Sequence, residues 1–322
     1  MSGRGGPNHA DQVLKAVASN EAARSPVVAS WRRSSNFHAL DPGLTDSPRR
    51  LPADRIDESR QRLGLILRVA RSSLDRLFLA VGGVGCSVLL ADHEGVVLDR
   101  RGSPSDDATF DSWGLWTGAV WSEHSEGTNG IGTCLVEQRA LTIHRDQHFL
   151  SRNALLSCTT APIFNERGEL AAALDVSSCR ADLTEGFVQL IATAVMDAAQ
   201  RIEAENFRLA FPKSRILLAP ANDRGGAALL AVDSDDLVIG ATRGARLTLG
   251  LTPAALARPL PVSDVIAGAP SHRDTIDSAE RAVLMRALAR AGGNVSGAAR
   301  SLGVSRSTLH RRLNEFDLRR HG

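Results

Sequence analysis

Between Ser122 and Glu137 the chain reads SEHSEGTNGIGTCLVE. Three glycines in six residues, Gly127, Gly130 and Gly132, are the composition of a loop that lets phosphate oxygens reach a bare backbone. A dinucleotide fingerprint needs G-x-G-x-x-G between a strand and a helix. Here the order is G-x-x-G-x-G, and no clear strand pattern precedes it. A Walker loop needs lysine directly after its last glycine. The chain has two lysines, Lys15 before an alanine and Lys213 after a proline, and neither fits. The glycines are therefore assigned to geometry. They let a loop enter a helix, continuing through Cys134, Leu135 and Val136, that packs tightly on a sheet.

Other side chains could also do chemistry. His144 and His148 form H-x-x-x-H with Cys158 ten residues on. Two histidines without a clear third ligand are a weak motif, and neither a metal nor another cofactor is expected. Cys86, Cys134, Cys158 and Cys179 are widely spaced and form no C-x-x-C pair, so neither a zinc knuckle nor a disulfide framework is indicated. Cys134 and Cys158 could sense oxidants, but apolar neighbours such as Leu155 and Leu156 favour buried, unreactive thiols. Trp113, Trp116 and Trp121, with Phe110, would line an apolar pocket or fill a core. Ser122, Glu123, Thr128 and Asn129 would supply the few polar groups that such an effector pocket needs.

The most specific stretch is GNVSGAARSLGVSRSTLHRRLNEF. Asp277 and Glu280 open a helix with Val283, Leu284, Ala287, Leu288 and Ala291 on one side, and Gly292–Gly293 end it. Asn294 caps a second short helix with Ala298, Ala299 and Leu302 inward. Gly303 makes the turn, Val304 plugs the core, and Ser305 caps a third helix that buries Leu309, Leu313 and Phe316. Two helices joined by a glycine-containing turn are the helix-turn-helix pattern. Ser305, Arg306, Ser307, Thr308, His310, Arg311 and Arg312 form the candidate DNA-binding set. From Asn294 onward, Arg300, Arg306, Arg311, Arg312, Arg319 and Arg320 face only Glu315 and Asp317, so a chain of net charge +2 concentrates its positive charge here. Arginine at the start of such a helix can grip guanine O6 and N7; later ones neutralise phosphates.

The elements that must position these residues are legible as periods. Leu63, Leu67, Ala70, Leu74, Leu77 and Val81 recur at helical steps. CSVLLA, DHEG and VVLDR then read as two strands around a turn, and APIF, NERG, ELAAALDVS repeats that layout. Asp182 and Glu185 form a possible capping box for a helix striped by Phe187, Ile191, Ala194, Ala198, Ile202, Glu205 and Leu209, closed by Pro212. Strand signals return around Asp233–Asp236. The fold class is α+β. The expected order is a flexible tail (1–27), a sensor domain (28–212), a small α/β segment (213–258), a linker (259–274) and a three-helix reader (275–322).

Two of these regions carry resemblances. The last 48 or so residues resemble the Fis-type helix-turn-helix, whose members bind DNA as dimers at paired half-sites. WSEHSEGTNGIGTCLVEQRALTIHRDQHF and LSCTTAPIFNERGELAAALDVS, with ASWRRSSNFHALDP upstream, are similar to the GAF-type sensor domain of acetoin-catabolism-type transcriptional regulators. Residues 213–258 resemble that group's short PAS-like segment. Such regulators generally carry a central AAA+ ATPase that remodels polymerase holding an alternative sigma factor. Between Leu251 and Asp274 there is no room for one, and no GAFTGA loop.

The resemblance thus implies a one-component bacterial transcriptional regulator rather than an enzyme. It would be a homodimer on double-stranded DNA, governed by a small-molecule effector, with RNA polymerase a further partner. The chain begins MSGRGGPNHADQ without an apolar signal core, and its longest uncharged apolar run is too short to span a bilayer, so a cytoplasmic location without membrane contact is expected. The rivals are a redox- or metal-sensing regulator of the same layout and a cysteine-dependent GAF-type enzyme.

Overall fold

The computed structural model describes residues 8–81, 85–180, 182–219, 228–233, 237–258, 260, 262–266, 276, 279–280, 283–284, 287–288 and 291–316. The chain divides into two compact units, Met1–Val265 and Ile266–Gly322.

The first unit is organised by a five-stranded antiparallel sheet: β1 (Cys86–Asp92), β2 (Val97–Gly102), β3 (Leu141–His144), β4 (Ser157–Phe164) and β5 (Leu170–Ser178), in the order β2-β1-β5-β4-β3. The two expected hairpins are present. Each is closed by a side chain that copies a backbone turn: Asp92 Oδ1 accepts from the amides of Glu94 and Val96, and Asn165 Oδ1 from those of Arg167 and Glu169.

Residues alternate between the two faces. Val88, Leu90, Ala161, Ile163, Ala172, Leu174 and Val176 face one way. They pack under two long helices, α3 (Ala53–Val81) and α7 (Glu185–Ala210). The α3 stripe falls as expected, with an interruption at Gly64, whose φ of 42° is outside helical range. Thr184, not Asp182, caps α7, its hydroxyl accepting from the Phe187 amide; Asp182 is held by Arg180. The expected α7 stripe drifts near its end. Leu209 is exposed, because beyond Ile202 the helix turns Ala204 and Phe207 toward a second sheet.

That second sheet is three-stranded and antiparallel, β6 (Arg215–Leu218), β7 (Leu229–Val232) and β8 (Val238–Ala241), followed by α8 (Arg243–Leu249). The Asp233–Asp236 turn lies outside the described residues apart from Asp233. Within the expected linker, Val262–Val265 form one helical turn, and residues 259, 261 and 267–274 lie outside the described residues.

The segment expected to be a flexible tail is instead folded from residue 8. Asn8 caps α1 (His9–Ala18), and Ser25 caps α2 (Pro26–Arg32). Val13 is fully buried with Phe149 and Leu150, which gives this polar stretch an apolar anchor that its composition hides. Residues 1–7 lie outside the described residues. Among the described residues no helix is long and apolar enough to cross a membrane.

Candidate functional site

The glycine stretch folds into two short helices, α5 (Glu123–Glu126) and α6 (Gly130–Glu137), on the sheet face opposite α3 and α7. Its glycines permit contact. A Cβ on Gly130 would stand 2.6 Å from Thr160 Oγ1, 2.7 Å from Cys158 Cβ and 2.9 Å from Asp175 Oδ1. A Cβ on Gly132 would stand 2.4 Å from the backbone nitrogen of Glu123. α6 therefore rests directly on the strands, and its amino end is filled by protein atoms.

The polar residues of this stretch are each engaged. Ser122 caps α5 and Asn129 caps α6, through hydrogen bonds from the amides of Ser125 and Gly132. Thr128 Oγ1 lies 2.7 Å from Ser30 Oγ and 3.3 Å from Ser34 Oγ. Glu123, 1% exposed at its side chain, receives Arg33 Nε at 2.8 Å and Arg33 Nη2 at 3.1 Å, a two-pronged pair. The Glu123 hydrogen bond holds the Arg33 guanidinium above its ordinary pKa. Trp31 Nε1 donates to the Gln147 carbonyl. The stretch expected to hold an effector thus clasps the lead-in helix α2 in this conformation.

The tryptophans make other contacts. Trp121 is fully buried and donates from Nε1 to the Gly114 carbonyl at 2.8 Å. Trp113 meets Phe110 edge-on, and Arg100 lies over Trp116 at 4.2 Å. Trp121 and Trp113 fill the core between the sheet and α4 (Asp107–Ser112) together with Leu89, Leu115 and Ile131, while the half-buried Trp116 covers Arg100. Four of the grooves on the first unit are lined without a tryptophan. Opening one at Trp121 would cost about 3–5 kcal/mol, the scale of removing such a side chain from a core.

A buried polar row was not anticipated. Asp175 Oδ1 accepts from Thr160 Oγ1 at 2.5 Å and Oδ2 from Ser177 Oγ at 2.7 Å, while Cys158 Sγ lies 3.1 Å from Ser177 Oγ. All four residues sit on the α6 face, and burial raises the Asp175 carboxyl to about 6 against the pull of its two hydroxyl donors. The available signal was Asp175, a carboxylate in the middle of the apolar run of ELAAALDVS. Glu126 and Arg152 form a second buried pair at 2.5 Å, with burial lifting Glu126 to about 7.

His144, His148 and Cys158 do not converge. His144 Nδ1 meets Ser157 Oγ, and His148 Nδ1 donates to the Arg145 carbonyl. Burial lowers His148 to about 4. Cys134 and Cys158 are buried, and burial pushes both thiols well up, which is the inert state.

In the second unit, helical residues recur through 276–288, and residues 277–278 and 281–282 lie outside the described residues, the expected Asp277 cap among them. Gly292 and Gly293, at φ 57° and 80°, turn the chain, and Asn294 caps the helix Val295–Ser301. Gly303, at φ 67°, makes the turn to the third helix, Arg306–Glu315, capped by Ser305. Leu284, Ala287, Ala298, Ala299, Leu309 and Leu313 form the core, with Phe316 at its edge. Val304 does not plug it; the residue is exposed, because the turn at Gly303 points it outward and Ala298 and Ala299 already fill the space.

The seven candidate DNA-binding residues separate by engagement. Ser305 and Thr308 are tied to each other, hydroxyl to hydroxyl at 2.8 Å as well as through the cap. Arg312 is half-exposed and paired with Glu280 at 3.0 Å and Glu315 at 3.2 Å, linking third helix to first. Arg311 is exposed and reaches Glu315 at 3.8 Å. Arg306 and Ser307 are exposed at the amino end, and His310 sits half-buried beside them. Arg300, exposed on the preceding helix, is a further cation that the sequence-based set omitted. Arg319 and Arg320 lie outside the described residues.

With this geometry in view, comparison with known proteins is informative. Residues 65–202 match the GAF domain model, and residues 275–316 match that of the bacterial regulatory protein Fis family. The chain is 36% identical over 239 residues to the acetoin catabolism regulatory protein of Cupriavidus necator, covering 73% of this chain and 36% of that protein. It is 31% identical over 189 residues to the acetoin dehydrogenase operon transcriptional activator AcoR of Bacillus subtilis, covering 59% and 31%. The chain spans about a third of the length of these relatives. Among solved structures, the E. coli DhaR(N)–DhaL complex aligns with a TM-score of 0.52 at 14% identity, over 82% of this chain and 87% of that one, a likeness of fold.

Proposed function

We propose that this chain, which joins a GAF domain to a Fis-family helix-turn-helix and is homologous to the acetoin-catabolism regulators, is itself a one-component transcriptional regulator. The observation that carries the reading is the Arg306–Glu315 helix. It is capped at Ser305, anchored by Leu309 and Leu313, and turns Arg306, Ser307 and Arg311 to solvent. Such a helix enters a major groove with its amino end toward the base edges. Arg306 and Ser307 contact bases; Arg311 and Arg300 contact phosphates. Ser305 and Thr308 hold the helix end in shape, His310 flanks it, and Arg312 first has to leave Glu280 or Glu315 to reach a phosphate.

Control comes from the α4–α6 face of the GAF domain. A small effector enters beside Trp113, Trp116 and Trp121, where the buried Asp175, Thr160 and Ser177 row offers polar partners. Ser122, Glu123, Thr128 and Asn129 act by holding α2, α5 and α6 in one arrangement. The effector shifts this arrangement only as far as it binds the alternative more tightly. The protein works in the cytoplasm as a homodimer, since one small reader contacts few phosphates. The PAS-like second sheet extends the sensor. Residues 203–274 contain no Walker motif, so control proceeds without ATP-driven sigma-factor remodelling, through ordinary RNA polymerase or competition at a shared operator.

Mobility-shift titration of the full chain against duplex from upstream of its own gene, over a salt series, tests the reading. Specific retardation that weakens steeply with salt supports it. No retardation down to 50 mM salt overturns it.

A further inference from the structure

We infer that His38 and His124 form an open two-nitrogen site for a late first-row divalent metal ion, joining the lead-in segment to the GAF domain. The two imidazoles come from positions 86 residues apart, and their Nδ1 atoms stand 3.3 Å from each other. Two nitrogens each 2.0–2.1 Å from one tetrahedral ion are separated by about 3.3 Å, so this spacing is the edge of a zinc-type coordination tetrahedron. The rings meet edge to face, at 78° with centroids 5.2 Å apart, rather than stacked.

The backbone around His38 is irregular in a way that presents it. Arg33–Phe37 form a π-helical turn, and His38 ends it through its amide bonded to the Arg33 carbonyl. Ala39 then adopts φ 54°, a left-handed conformation unusual for a residue with a Cβ. π-turns and such strained residues gather at functional positions. Phe37 sits edge-on to His38 at 5.1 Å and steadies its ring. His124 is exposed on the short helix α5, so an ion reaches the pair from solvent.

The electrostatics are compatible with a cation. Arg33 is a neighbouring positive group, and Glu123, to which it is bound at 2.8 Å, offsets its charge. Without an ion, one of the two nitrogens carries the proton that the other accepts. As the metal enters, that proton passes through solvent to the same ring's Nε2, so both rings stay neutral and both Nδ1 atoms offer lone pairs to the ion. No group of three or more His, Cys, Asp and Glu converges anywhere among the described residues. Water therefore fills the remaining positions, and the site favours copper over zinc in the usual order of affinities.

The test uses the full chain, stripped of metal and titrated with zinc(II) by calorimetry and with cobalt(II) by visible absorption. The expected result is one ion per chain and a raised unfolding midpoint. His124→Ala, a surface change, should weaken binding by at least roughly tenfold. His38→Ala should do the same, with His38→Asn as the variant if alanine disturbs the π-turn. His93→Ala, exposed and distant in sequence, should change nothing. Unaltered binding in a His38→Ala/His124→Ala double variant, or no uptake by the wild type, overturns the assignment.

Discussion

Gly130→Ala separates the two meanings of a glycine-rich loop. If these glycines served a bound phosphate, a methyl group at Gly130 would spoil ligand binding and leave the empty protein unharmed. The structure gives the opposite expectation. The new Cβ would sit 2.6 Å from Thr160 Oγ1, 2.7 Å from Cys158 Cβ and 2.9 Å from Asp175 Oδ1. All three belong to central strands whose backbones are fixed by pairing on both sides, so none can withdraw cheaply. Overpacking of this kind costs about 1–3 kcal/mol. Gly130 has no positive φ, so the substitution brings a helix-propensity gain of about 1 kcal/mol at most against that cost. A net deficit of about 1–2 kcal/mol in a unit of this size lowers the unfolding midpoint by roughly 2–8 °C. Gly186→Ala is the control. That glycine lies in the first turn of α7 with nothing within 4 Å of its hypothetical Cβ, and the change should leave the midpoint unchanged or slightly raised. Differential scanning of both variants decides. A Gly130→Ala midpoint equal to or above wild type refutes the packing argument.

Other consequences are independent of that one. Burial raises Asp175 from 3.8 to about 6. A carboxyl so raised holds its proton more tightly when folded, so its contribution is complete below pH ~4 and is lost as pH climbs through 6. The loss is on the order of 3 kcal/mol. Asp175→Asn should flatten the decline in stability between pH 4.5 and 7, measured by urea unfolding; an unchanged pH profile would count against the buried row. In the folded chain at pH 8, iodoacetamide should label the half-exposed Cys179 first and spare Cys86, Cys134 and Cys158 until denaturant is added; mass mapping that finds Cys158 modified early would restore the redox-sensor reading. Arg33→Ala strands the buried Glu123 carboxylate and should destabilise the first unit by about 3 kcal/mol, more than Arg55→Ala at an exposed pair, in the same unfolding assay.

The fold was legible where burial is periodic. Leu63 to Val81 and the paired hairpin layouts declared α3 and four strands, because one buried face imposes a period on the residues. The reader was legible for another reason: caps, turn glycines and apolar pairs all fall within thirty residues, so local chemistry suffices. The anchoring of α1 was hidden, because Val13 is a single apolar residue in a polar stretch and its partners, Phe149 and Leu150, are remote in sequence. The same holds for Glu123 and Thr128. Their types fit a ligand pocket, yet their partners, Arg33, Ser30 and Ser34, stand some ninety residues earlier. A polar residue in a motif declares that it will be satisfied, not by what.

The central claim is that the Arg306–Glu315 helix reads duplex DNA, with base contact at its start and phosphate contact beyond. Footprinting and salt-dependent affinity of Arg306→Ala beside Arg311→Ala, on the duplex that the wild type protects upstream of its own gene and on variants of it altered one base pair at a time, test it most directly. The account predicts that Arg306→Ala loses about 1–3 kcal/mol of discrimination at one base position, while Arg311→Ala weakens every sequence alike and reduces the salt slope by about 1. Equal effects of the two substitutions, or a footprint indifferent to both, would contradict it.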